Sequence, residues 1–206
     1  MCLSKAATRC GVLLGLLSLC TAALALDRQQ LFDEANLLLL PRERQLPEFR
    51  LLDETGQPAT RKSLQGRWHL MFFGFTACPD VCPTTLSEMR QLLGQLPGQT
   101  RQRLQLIVIS ADPARDTPEV LRNYLSYYRA GFKGLTGDLE QLQLLSRGLG
   151  LPFVPTTEAE TDADYNISHS DNLAIVGPDG TLRGQIRAPL KLDALRRALP
   201  TLIEAD

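Results

Sequence analysis

Two uninterrupted apolar runs dominate the hydrophobic pattern of this chain: "RWHLMFFGF" at residues 67–75 and "RLQLIVIS" at 103–110. A short run of this kind, without alternation, predicts a strand buried on both faces. After the first run, Leu86, Met89, Leu92 and Leu93 recur at helical spacing, and Pro83 fits the first helical position. After the second, Thr117 is placed to cap a helix that opens on Pro118 and runs to about Tyr128. A short strand near residues 132–135 and a leucine-rich helix from Asp138 to Leu149 follow. "NLAIVGPDGTLRGQI" (172–186) predicts a hairpin turning at Pro178-Asp179-Gly180, and "LKLDALRRALPTLIEA" an amphipathic closing helix. Upstream, "FRLLDETGQPAT" (49–60) predicts a strand and a turn. "LLLLPRERQLP" reads as part of a connector that holds an apolar patch against the domain.

Strand, helix, strand, helix, then a hairpin and a last helix describe an α/β fold. The order fits a thioredoxin-like mixed sheet flanked by helices, with a C-terminal β-hairpin and helix. At 206 residues the chain has room for one well-buried core and is short for two. Its 44% hydrophobic and 22% charged content is that of a folded domain. The net charge of −1 lacks the basic excess of a nucleic-acid-binding surface, so no nucleic-acid partner is expected. No internal repeat is present.

The N-terminus changes the picture. Lys5 and Arg9 precede the uncharged stretch Cys10–Leu26, which contains Ala23-Leu24-Ala25. A basic start, an apolar run and small residues match a signal peptide. The run also sits at the lower limit for a membrane anchor. We therefore expect residues 1–25 to be a signal or anchor, 26–45 a connector and 46–206 the domain. The domain is expected in the periplasm or on the periplasmic face of the inner membrane. Cys2, Cys10 and Cys20 fall in the targeting segment, which leaves Cys78 and Cys82 to the domain.

"FFGFTACPDVCPTT" (72–85) carries those two cysteines, each followed by proline. The proline bias places them in an extended loop entering the helix, where the helix N-terminus should favour thiolate at Cys82. An exported pair can form a disulfide, but one closing so short a loop adds little stability. Three intervening residues depart from the two of the usual redox motif. The nearest proline candidate opposite the cysteines, Pro155, runs into acid-rich sequence. No arginine lies in the cysteine loop, which disfavours a thiol peroxidase. Of the two histidines, His69 lies in an apolar strand and reads as packed or edge-strand. His169, in "YNISHSDN" just ahead of the hairpin strand, would complete a soft set of two sulfurs and one nitrogen. Such a set suits monovalent copper, also serves the divalent ion, and with a water would accept zinc. Asp112, at the end of the second buried strand, is a candidate for supporting the site or docking a partner. Asp116 reads as turn and helix-start chemistry, and Asp80 and Glu88 as solvated residues at a helix start.

Four spaced stretches, "FFGFTACPDVCPTTLSEM", "ISADPARDTPEVLRNYL", "GLTGD" and "ISHSDNLAIVGPDG", resemble the Sco family (also SenC or PrrC) over residues 46 to 200. The resemblance implies a thioredoxin-like, copper-binding assembly protein with Cys78, Cys82 and His169 as ligands. Its task would be maturation of the dinuclear copper centre, CuA, of cytochrome c oxidase. The partners would be the CuA-bearing oxidase subunit, a periplasmic copper donor and a thiol reductant. Many relatives carry histidine where this chain has Ala77, which is outside the ligand set. The alternative from another class is a thiol–disulfide reductase that keeps oxidase cysteines reduced, for which Cys78 and Cys82 suffice.

Overall fold

A computed structural model describes residues 28–154 and 167–204. The expected signal or anchor at residues 1–25 and Pro155 lie outside the described residues. The central strand β4 (Trp68–Gly74) is buried at every position. It lies between β5 (Leu104–Ser110), to which it pairs in parallel with Phe72 opposite Val108 and Gly74 opposite Ser110, and the antiparallel β9 (Leu173–Val176). Covered on both faces, these strands take the continuous apolar composition that the sequence displays.

The eight-stranded sheet runs β1-β10-β9-β4-β5-β6-β2-β3, where β1 is Leu37–Gln45, β2 Arg50–Asp53, β3 Pro58–Thr60, β6 Lys133–Thr136 and β10 Thr181–Ile186. Only the β4–β5 and β5–β6 pairings are parallel. Helix α2 (Val81–Gln95) follows β4, α3 (Gly98–Arg103) precedes β5, and α4 (Pro118–Ser126) follows it. Helix α5 (Leu139–Leu149) ends on Gly150, whose φ of 68° closes it in the left-handed conformation. The closing helix α6 (Leu192–Glu204) packs with α1 (Arg28–Ala35), α2 and α3, while α4 packs on β6. This is the mixed sheet flanked by helices expected from the element order.

The stretch read as a connector is built differently. It holds its apolar patch as α1 and the edge strand β1, with Leu37 fully buried and paired to Ile186. Pro41 and the charges of Arg42, Glu43 and Arg44 masked this strand in the sequence. An edge tolerates both, and the pairing shifts register between Leu39 and Arg44 to accommodate them.

His69 is a packed histidine on a central strand, not an edge one. Its Nε2 lies 3.0 Å from the Leu64 carbonyl, which only accepts, so Nε2 carries the hydrogen and the buried Nδ1 has no partner among the described residues. Burial, which outweighs the Leu64 bond, lowers its pKa to about 4. The folded value lies below the unfolded one, so its contribution is intact above pH 6.5 and is lost as pH falls towards 4. We expect about 3 kcal/mol of stability to disappear across that window. Urea denaturation at pH 7 and pH 4.5 should show a smaller acid loss in His69→Gln than in the native chain; equal losses would refute the assignment.

Candidate metal centre

The cysteine loop connects β4 to α2 and closes with the Cys78 amide donating to the Phe75 carbonyl at 3.2 Å. Helix α2 begins at Val81, two residues earlier than expected, so Cys82 stands in its first turn and not in the loop. Pro83 is tolerated there because the first amides of a helix have no intrahelical acceptor. Cys78 is half-buried and Cys82 is 1% exposed. Both are free thiols, and the Cys82 amide donates to Cys78 Sγ at 3.3 Å. The expected thiolate bias at Cys82 is overturned. Burial first, then the hydrogen bond with Cys78, push its thiol well above the ordinary value. A metal ion taking this sulfur must displace its proton.

His169 belongs to a two-stranded ribbon, β7 (Phe153–Val154) and β8 (Ser168–His169), rather than to a loop. Phe153 pairs with His169 in the ribbon and stacks on Phe73 of β4 with ring centroids 5.1 Å apart, which ties the ribbon to the sheet. His169 Nδ1 lies 3.1 Å from the Ser170 carbonyl, which fixes the hydrogen on Nδ1. Nε2 then presents its lone pair to Cys82 Sγ, 3.4 Å away. Phe72 and Phe75 meet the imidazole ring at 85° and 86°, with centroids at 5.6 and 5.9 Å. They wall it in without offering a competing donor.

Two sulfurs and one nitrogen thus converge, with all three donor atoms within 4.8 Å of one another. An ion held at roughly 2.3 Å from sulfur and 2.0 Å from nitrogen spaces its donors by about 3.5–4 Å. The set fits a metal with small movements, and Cys78, Asp80, Ser168, His169 and Asp171 line a hollow of about 250 Å³ through which it can be reached. Gly74 makes room from below: a Cβ there would lie 3.0 Å from Cys82 Sγ and 2.8 Å from the Phe72 ring.

Of the carboxylates, Asp116 departs most from expectation. Asp112 is buried and ion-paired to Arg115, whose guanidinium lies 5.7 Å from the Phe75 ring centroid, so Asp112 touches the site through two intermediaries. Asp116, read from sequence as turn chemistry, is fully buried and accepts hydrogen bonds from Thr76 in the cysteine loop. Thr117 does cap α4, accepting from the Val120 amide at 3.3 Å. Asp80 is exposed at the start of α2 without a side-chain cap, and Glu88 is half-buried. Sequence reading missed Thr76, Asp116 and Arg115. The one available signal was an acidic residue beside an already sufficient threonine cap.

Comparison with known proteins bears on what this arrangement serves. A family model described as SCO1/SenC matches residues 40–204. A Stutzerimonas stutzeri protein whose name refers to copper binding is 65% identical over 184 residues, covering 89% of each chain. The human mitochondrial SCO1 homolog is 38% identical over 133 residues, which are 64% of this chain and 44% of that one. The chain spans about half the length of such mitochondrial relatives. The solved structure of Bradyrhizobium japonicum ScoI with copper bound has 33% identity and a TM-score of 0.65, covering 76% of this chain and 98% of that one.

Proposed function

This chain belongs to the SCO1/SenC family, and from that premise we propose that it binds copper through Cys78, Cys82 and His169 and serves the assembly of the CuA centre of cytochrome c oxidase. The observation that carries the reading is the convergence of three soft donors within 4.8 Å at the edge of an accessible hollow. Thiolate and imidazole suit monovalent copper, and the same set holds the divalent ion. Support for copper also comes from the copper-bound ScoI structure.

Each ligand contributes differently. Cys82 and His169 form the inner pair, fixed by the first turn of α2 and by the ribbon. Cys78, the more exposed thiol, is the donor that an incoming sulfur of a partner protein can displace first. Copper then passes by stepwise ligand exchange without ever being free in solution. Zinc would accept the same three groups with a water in fourth place. The domain organisation belongs to the same proposal: residues 1–25 direct export or anchor the chain, and the domain works in the periplasm. Among the described residues, no helix is long and apolar enough to cross a membrane.

A second reading, thiol–disulfide reduction of oxidase cysteines, draws on the two adjacent free thiols. The test separates the two. In a strain lacking the gene and grown under copper limitation, the native chain should restore oxidase activity, while His169→Ala should fail as Cys78→Ala does. Full activity from His169→Ala alone would leave a dithiol reductase.

A further inference from the structure

Beyond the ligands themselves, the loop between β5 and α4 reaches towards both arms of the site. Asp116 is 0% exposed. Its carboxylate accepts from the Thr76 amide at 3.3 and 3.2 Å, from the Thr76 hydroxyl at 2.5 Å and from the Ser110 hydroxyl at 2.8 Å. Its backbone is itself held, the amide donating to the Asp112 carbonyl at 2.9 Å and the carbonyl accepting from Thr136 Oγ1 at 2.8 Å. Held by β6 and the preceding turn, the carboxylate joins two elements, the end of β5 through Ser110 and the loop that carries Cys78 through Thr76. Thr76 stands two residues before Cys78.

Within its own turn the carboxylate answers only the Ser110 hydroxyl, and its remaining bonds go to Thr76. The cap of α4 is already supplied by Thr117. Burial disfavours the charge and raises the Asp116 pKa against the bonds from Thr76 and Ser110 that lower it. A small apolar residue would fill the position without that penalty, but it would leave the Thr76 amide and hydroxyl unanchored and the buried Ser110 hydroxyl without this acceptor. The neighbouring Arg115 leans on Phe75, whose ring edges against His169.

Resting on the copper reading above, we propose that Asp116 is a positioning residue of the metal centre, clamping Thr76 so that Cys78 is held where Cys82 and His169 need a third donor. Cys82 is fixed by its helix and His169 by its ribbon, so Cys78 is the ligand whose placement depends on a loop. With the clamp gone, Cys78 must be ordered anew each time an ion binds. Partners bonded directly to metal ligands are worth about 10- to 100-fold in affinity. Asp116 acts one residue further out, through Thr76, so a loss at the lower end, about 10-fold, is the expectation.

The test uses the full chain, titrated with Cu(I) against the chelator bicinchoninate, alongside iodoacetamide alkylation of Cys78 in metal-free protein. Asp116→Ala should bind Cu(I) about 10-fold more weakly and show faster Cys78 alkylation. Asp116→Asn, which keeps an acceptor oxygen for Thr76, should stay close to the native affinity and alkylation rate. If Asp116→Ala does not fold, Thr76→Val carries the test, with roughly a tenfold loss expected. A folded Asp116→Ala, or a Thr76→Val, with native affinity and native alkylation overturns the proposal, as does an Asn variant as impaired as the Ala variant. Should the native chain itself bind no copper, the copper reading fails, while the alkylation rates still decide the role of Asp116.

Discussion

Cys82→Ser should lower Cu(I) affinity by at least about 100-fold, or roughly 3 kcal/mol, the largest binding loss of any single substitution in this chain. The serine oxygen is a hard donor in a site whose other members are sulfur and imidazole nitrogen, and monovalent copper strongly prefers the soft set. The effect is large because Cys82 is central. Its sulfur lies 3.4 Å from His169 Nε2, and its amide donates to Cys78 Sγ. Buried as it is, a serine there cannot recruit water to replace the lost ligand. Chelator competition measures the change. An affinity within threefold of native would mean that copper sits elsewhere.

The second large effect concerns stability. Phe72 is fully buried on β4, its ring lies over Gly74, and its edge meets His169. Phe72→Ala removes the ring from the middle of the sheet and leaves a cavity beside the metal centre. We expect a loss of about 3–5 kcal/mol and a fall in Tm of roughly 10 °C or more. Because the same ring walls in the imidazole, copper affinity should fall as well, by less than for Cys82→Ser. Urea denaturation with chelator competition on the folded fraction reads both. A stability loss below about 1 kcal/mol would show that the neighbours repack into the space and that Phe72 does not support His169.

The sheet's interior was legible because β4 and β5 are covered on both faces, and only an unbroken apolar run satisfies that burial. The β9–β10 hairpin declared itself through Pro178-Asp179-Gly180, with Gly180 at φ 78°. Strand β1 was hidden because an edge strand tolerates the proline and charges that read as a connector. The ribbon β7–β8 has two residues per strand, too few for any period to appear. For the candidate site, the donor types and their soft chemistry were visible in the residues. Their meeting was not derivable from spacing, since Cys82 and His169 are separated by 87 positions. The thiol state of Cys82 was misjudged because helix-end electrostatics is a local property, whereas burial is imposed by the fold. Asp116 was passed over for a related reason: its partner Thr76 is 40 residues away, and nothing in "DPARDT" points to it.

X-ray absorption at the copper edge, on the reduced and copper-loaded full chain beside His169→Ala, tests the proposed three-donor centre most directly. The account predicts one copper bound by two sulfurs and one imidazole nitrogen in the native protein, with the imidazole signal lost in the variant. Copper held by sulfur alone, with the same spectrum in both proteins, would contradict it.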